Sequence, residues 1–248
     1  MMSRIAGALV GCAIMMAAAP AQAAPIVFEG SGGTKAARVT FENVGGSLVV
    51  RLKNTSMSDV TVPSDLLTAV FFNVNGNPSL TRTSAVLGSG STVVNDTQPA
   101  GGVVGGEWAY RKSLNVYGGA NTGLSSTGLS LFGSGDRFPG ANLDGPNSPD
   151  GMQYGITSAG DNPATANGGL AGTPLIDNEV VFTLGGWGLK EPTDYISNVT
   201  FHYGTSFGEG KLTGKRITVV TQVPEPAALL LFGVAGVALR FRSRRNRN

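Results

Sequence analysis

The chain has 248 residues, a formal net charge of +2, a charged fraction of 14%, 37 glycines and a single cysteine. Six of the 18 basic residues (Arg4, Arg240, Arg242, Arg244, Arg245 and Arg247) and one of the 16 acidic residues (Glu225) lie near the two ends, which leaves 12 basic and 15 acidic residues between Ala24 and Gln222. That balance offers no basic footprint for nucleic acid, and one histidine beside one cysteine excludes three-His and Cys2His2 zinc sites.

Met1 to Ala23 reads as a signal peptide: Arg4 supplies the positive n-region, Ile5 to Ala19 is apolar, and Ala21-Gln22-Ala23 is a small-x-small cleavage site. The Sec translocon and signal peptidase are the expected partners of this segment, and the mature chain is expected to begin at Ala24. A second reading stays open. Leu9-Val10-Gly11-Cys12 resembles a lipobox, which would make Cys12 a lipidated residue, although the apolar stretch between Arg4 and Leu9 is short for one. Cleavage after Ala23 removes Cys12, so the mature domain must hold together by burial alone, which about 200 residues allow.

From Ala24 to Gln222 the pattern is one of short strands. In Arg38-Val39-Thr40-Phe41-Glu42, Val39 and Phe41 share a face. Leu48, Val50 and Leu52 alternate with Val49, Arg51 and Lys53, and the strand stops at Asn54-Thr55-Ser56. Pro63 to Leu67 suggests at most one helical turn. The apolar run Leu67 to Val74, rich in Val and Phe, reads as a buried strand. Shorter candidates surround Val93, Trp108, Leu131 and Tyr154. The segment Gly133 to Thr173 breaks the rhythm with Gly-Asp, Pro-Gly and Ser-Pro-Asp-Gly turns, and the alternation of Met152, Tyr154 and Ile156 offers one strand inside it. Glu179 to Leu184, Val199 to Tyr203 and Lys215 to Val220 complete the set. Many short strands with Gly and Asn turns predict an all-β fold, an antiparallel β-sandwich or jelly roll over residues 24–222.

Candidate chemistry is thin. His202 lies on the face opposite Phe201 and Tyr203, which the alternation reads as the solvated face. No Gly-x-Ser-x-Gly elbow surrounds a serine at a strand-to-helix turn, and no enzyme activity is expected. Trp108, Tyr110 and Trp187 (with Tyr117) are the candidates for a sugar-stacking platform, although scarce aromatics more often fill a core. Asp136, Asp144 and Asp150 are the candidate calcium ligands, with Asp161 as a further loop carboxylate. All four adjoin or nearly adjoin turn residues, where Asp commonly bonds its own backbone.

The C-terminal segment, residues 223–248, carries the most specific signal. Pro224-Glu225-Pro226 breaks any preceding element. Ala227 to Leu239 is apolar throughout, 13 residues that reach about 20 Å as a helix, short of the roughly 30 Å hydrocarbon core. Arg240, Arg242, Arg244 and Arg245 follow at once and are expected on the cytoplasmic side of the membrane, which places the β domain outside. Pro-Glu-Pro, short transmembrane helix and arginine cluster together resemble the PEP-CTERM sorting signal. The resemblance implies recognition and cleavage near Pro-Glu-Pro by an exosortase-type membrane protease, in bacteria with an outer membrane and an extracellular polysaccharide. A plain membrane anchor is the alternative.

Three stretches of the middle also resemble exosortase-dependent surface proteins: Gly105 to Tyr110, Gly135 to Gly140, and Ser148 to Ile156. That group carries no established activity. The expectation is therefore an exported surface or extracellular-matrix protein, associated with polysaccharide or biofilm and passing through a membrane-held intermediate. A carbohydrate-binding module and a glycan-active hydrolase are the alternatives.

Overall fold

The computed structural model describes residues 24–145 and 147–218. The expected signal peptide with Ala21 and Ala23, and the expected sorting signal with Pro224, Glu225, Pro226 and its arginines, lie outside the described residues.

The strands follow in chain order: β1 (Ile26–Gly32), β2 (Lys35–Val44), β3 (Ser47–Asn54), β4 (Leu67–Val74), β5 (Thr81–Leu87), β6 (Thr92–Val94), β7 (Ala109–Val116), β8 (Ala120–Ser125), β9 (Ile156–Thr157), β10 (Leu175–Asp177), β11 (Glu179–Gly185), β12 (Ile196–Tyr203), β13 (Lys211–Thr213) and β14 (Lys215–Ile217). One α-helical turn, α1 (Pro192–Tyr195), precedes β12, and Pro63–Asp65 forms a 3-10 turn. No helix among the described residues is long and apolar enough to cross a membrane.

The first sheet has the order β14-β1-β2-β3-β11-β5 and is antiparallel throughout. The second runs β13-β12-β4-β9-β10-β6, with β8 also on β4 and β7 on β8. β4 is flanked on one side by β12, while β8 pairs residues 69–72 and β9 meets Leu67. The pair β9 and β10 is parallel, so the second sheet is mixed where an antiparallel one was expected. The fold is all-β.

The two sheets bury one core between them. Its largest cluster joins Val39, Phe41, Val50 and Phe182 of the first sheet to Val70, Phe72, Phe201 and Tyr203 of the second. Phe41 meets Phe72 edge-on, with centroids 4.8 Å apart. Each such ring contributes roughly 2–3 kcal/mol by leaving water, enough to hold the sheets together without a disulfide. β4 explains its own unbroken apolar run, because it is buried on both faces. Val70, Phe72 and Val74 face the core between the sheets, while Ala69 and Phe71 belong to a second cluster with Ala109, Ala120, Leu129 and Phe132.

One expected strand does not form and another is shortened. Leu131 lies in a turn whose amide bonds back to Gly128 O at 2.8 Å, because Leu129 and Phe132 are used to cover the second sheet. Tyr154 has φ +55°, a left-handed conformation that ends strand geometry, so the strand around it shrinks to β9. Of the strand expected over Lys215 to Val220, the described part is β14.

Candidate functional site

Of the three stretches singled out between Gly105 and Ile156, the second and third both pack on the first. Gly105 and Gly106 start the tight approach. A Cβ on Gly105 would stand 1.9 Å from Pro139 O and one on Gly106 1.7 Å from Ala141 O, so the backbone of residues 139–141 lies directly on this pair. Glu107 comes next and is buried. Its carboxylate accepts the Leu143 and Asp144 amides at 2.5 and 3.3 Å and the Ser148 hydroxyl at 2.5 Å, fastening the long loop at three points. Burial raises the Glu107 carboxyl above the usual carboxylate range, against the opposing effect of those hydrogen bonds. Trp108 then takes the loop from the other side. Its carbonyl accepts the Phe138 amide at 2.9 Å, and its indole Nε1–H donates to Tyr154 O at 3.1 Å.

This knot holds the segment Ser134 to Gly140 beside the start of β5 and the outer strand β7. Between them lies a cleft of about 610 Å³, with Thr81 and Arg82 on one side, Tyr110, Arg111 and Lys112 on another, and Asp136, Arg137 and Phe138 on the loop. Tyr110 and Phe138 are buried and form its back wall. Burial pushes the Tyr110 phenol up to about 12, so it stays protonated at neutral pH. Asp136 Oδ2 accepts the Gly133 amide at 3.0 Å and stands 3.7 Å from Arg111 Nη1, while Oδ1 is 3.9 Å from Arg82 Nη1. Arg137 is spent on the loop itself, donating to Ser134 O and to Asn142 Oδ1, each at 3.1 Å.

The residues singled out from sequence divide. Trp108 and Trp187 are buried in the core. Trp108 meets Phe182 edge-on at 5.1 Å, and Trp187 donates its indole N–H to Lys190 O at 2.8 Å and packs on Tyr195. Neither ring face is open to a sugar, because the core claimed these large apolar surfaces first. Tyr110 reaches the cleft, but as its floor. Asp136 is at the cleft. Asp150 accepts its neighbour Gly151's amide at 2.8 Å, and Asp161 accepts the Val60 amide at 2.7 Å. Asp144 enters through its backbone, donating to Glu107 and accepting Ser148. No three His, Cys, Asp or Glu side chains gather as a metal site among the described residues.

His202 corrects the expectation of a solvated side chain. The alternation holds, since Phe201 and Tyr203 face the core between the sheets. Yet His202 is fully buried, because the outer face is roofed. Phe71, Tyr117 and Phe207 surround the imidazole at 5.7–6.3 Å between centroids, and the Tyr117 hydroxyl shares a 2.7 Å hydrogen bond with Nδ1. Desolvation lowers its pKa to about 4, offset in part by Glu209, so the ring is neutral at pH 7.

Sequence reasoning missed Arg82, Arg111 and Lys112. Arg111 and Lys112 sit in β7 and Arg82 in β5, strands of different sheets, and only the packing of residues 134–140 brings them together.

Comparison with known proteins adds one finding. Residues 222–245 match the family model described as the PEP-CTERM protein-sorting motif. No curated protein and no solved structure matches the chain. The motif implies export towards the cell envelope and an exosortase as sorting partner. The chain is thus a PEP-CTERM motif-bearing, exosortase-targeted surface protein.

Proposed function

We propose that the protein is a non-enzymatic component of the cell surface or extracellular matrix, associated with polysaccharide in a biofilm. It is exported behind a cleaved signal peptide, held briefly by its C-terminal helix and released by an exosortase-type protease. The observation that carries this reading is the sorting motif at residues 222–245, which begins soon after the last described strand, β14. The short apolar run and the Pro-Glu-Pro on its outer side favour processing over permanent anchoring. Two prolines keep the backbone around Glu225 out of a helix, as a protease needs.

The test replaces both Pro224 and Pro226 by alanine. The helix then extends outward, and the unprocessed chain should accumulate in the membrane fraction. Processing of this variant at the wild-type rate and extent would contradict the proposal.

A carbohydrate-binding role is a second reading, now favoured by the cleft beside β7 instead of the tryptophans.

A further inference from the structure

Four of the 12 basic residues in the region 24–222, Arg82, Arg111, Lys112 and Arg137, line the cleft, against one carboxylate, Asp136. The cleft is therefore cationic within a region that is acidic overall. Asp136 does not quench it. At 3.7 and 3.9 Å its ion pairs with Arg111 and Arg82 are well beyond the 2.7–2.9 Å of a charge-assisted hydrogen bond. Meanwhile each guanidinium is anchored at one edge to backbone: Arg82 Nη1 donates to Gly135 O at 2.9 Å, and Arg111 Nη1 donates to Leu131 O. Among the described bonds none uses Nη2 of either arginine. Lys112 Nζ is steadied by Ser79 Oγ at 3.1 Å. Guanidiniums fixed at one edge and open at the other are preorganised for an oxyanion, with part of the ordering cost already met.

We propose that this cleft binds a carboxylate-bearing polysaccharide, an inference that rests on the surface-protein reading and names the ligand class. The carboxylate takes the open edges of Arg82 and Arg111. The hydroxyls of Thr81 and Ser134 meet the sugar hydroxyls, with Tyr110 and Phe138 behind. The charge distribution selects the polymer. Duplex nucleic acid carries a charge about every 1.7 Å of its axis, and beyond the cleft it meets a net-acidic domain. A glycan with no more than one carboxylate per sugar carries its charge more sparsely, so less of it faces the acidic surface beyond the cleft.

The test is calorimetric titration of the protein as purified from cells with oligogalacturonate, using dextran as the neutral polymer and duplex DNA as the other polyanion. Oligogalacturonate should bind, more weakly as salt rises. Arg82→Ala and Arg111→Ala should each weaken binding about tenfold, with wild-type melting temperatures, and Arg38→Ala on β2 should change nothing. Asp136→Asn keeps the acceptor for Gly133 but removes the competing charge, so it should tighten binding, which a damaged fold would not do. Absence of oligogalacturonate binding, equal affinity for dextran, tighter binding of DNA, or indifference to both arginine substitutions would each overturn the proposal. Sorting is read separately, from the mass of the surface protein, so failure of one reading is not mistaken for failure of the other.

Discussion

His202 is a neutral imidazole sealed under three aromatic rings, and that arrangement has a cost in acid. Its folded pKa of about 4 lies below the ordinary histidine value of 6.5. The unfolded chain therefore binds the proton more readily between these values. The stability His202 contributes is complete above pH 6.5 and is lost as pH falls towards 4, by up to about 3 kcal/mol. Glu209 faces the ring as an opposite charge and Lys211 as a like one, and both belong to the comparison. Buried Glu107 and half-buried Asp161 and Asp177 have raised pKa values and act in the opposite sense, losing stability as pH rises. The His202 contribution is isolated by difference. His202→Phe suits the aromatic surroundings and cannot titrate. Urea midpoints of wild type and variant between pH 4 and 7 should diverge, with wild type losing ground in acid. Parallel curves would show that the ring is not held neutral. The strand alternation placed this side chain on the correct face. What it could not supply is the roof, because Tyr117 comes from the distant turn between β7 and β8 and Phe207 from the irregular turn after β12.

At the scale of elements, the strands with strong alternation or dense Val and Phe content were legible: β2, β3, β4, β11 and β12 fall where the pattern places them. β5, with its run of Thr, Arg and Ser, and β8, with Asn and Gly, escape notice, because a neighbouring strand rather than intrinsic preference makes them strands. The long loop was legible as a loop, but not as a packed one. Gly105-Gly106-Glu107 stood out only by resemblance and is the bed on which residues 139–144 and Ser148 lie. Gly106→Ala should therefore cost about 3 kcal/mol or more, since its Cβ would overlap backbone at Ala141. Gly133→Ala is the control: it has open space around the added methyl and φ −131°, and should cost no more than about 0.5 kcal/mol. Chemical denaturation distinguishes the two. Equal tolerance would mean that the loop is not seated on this pair.

At the scale of the whole molecule, the two ends of the described fold leave together. β1 and β14 are antiparallel neighbours with Val27 opposite Ile217, so residues before Ile26 and after Ile217 depart from the same end of one sheet. Six residues lie between Ile217 and Pro224, so the seven steps between them reach at most about 25 Å. A chain held in the membrane by the sorting motif would thus carry the folded domain close to the membrane face, with the last described strand paired just ahead of that motif. The measurement that tests this account most directly is the intact mass of the protein from the surface of wild-type cells and from cells lacking the exosortase. The account predicts a surface form that begins at Ala24 and lacks the helix and arginine cluster beyond Pro226, and, without the exosortase, a membrane-held form that retains them. Residues beyond Pro226 on the surface protein of both strains would contradict it.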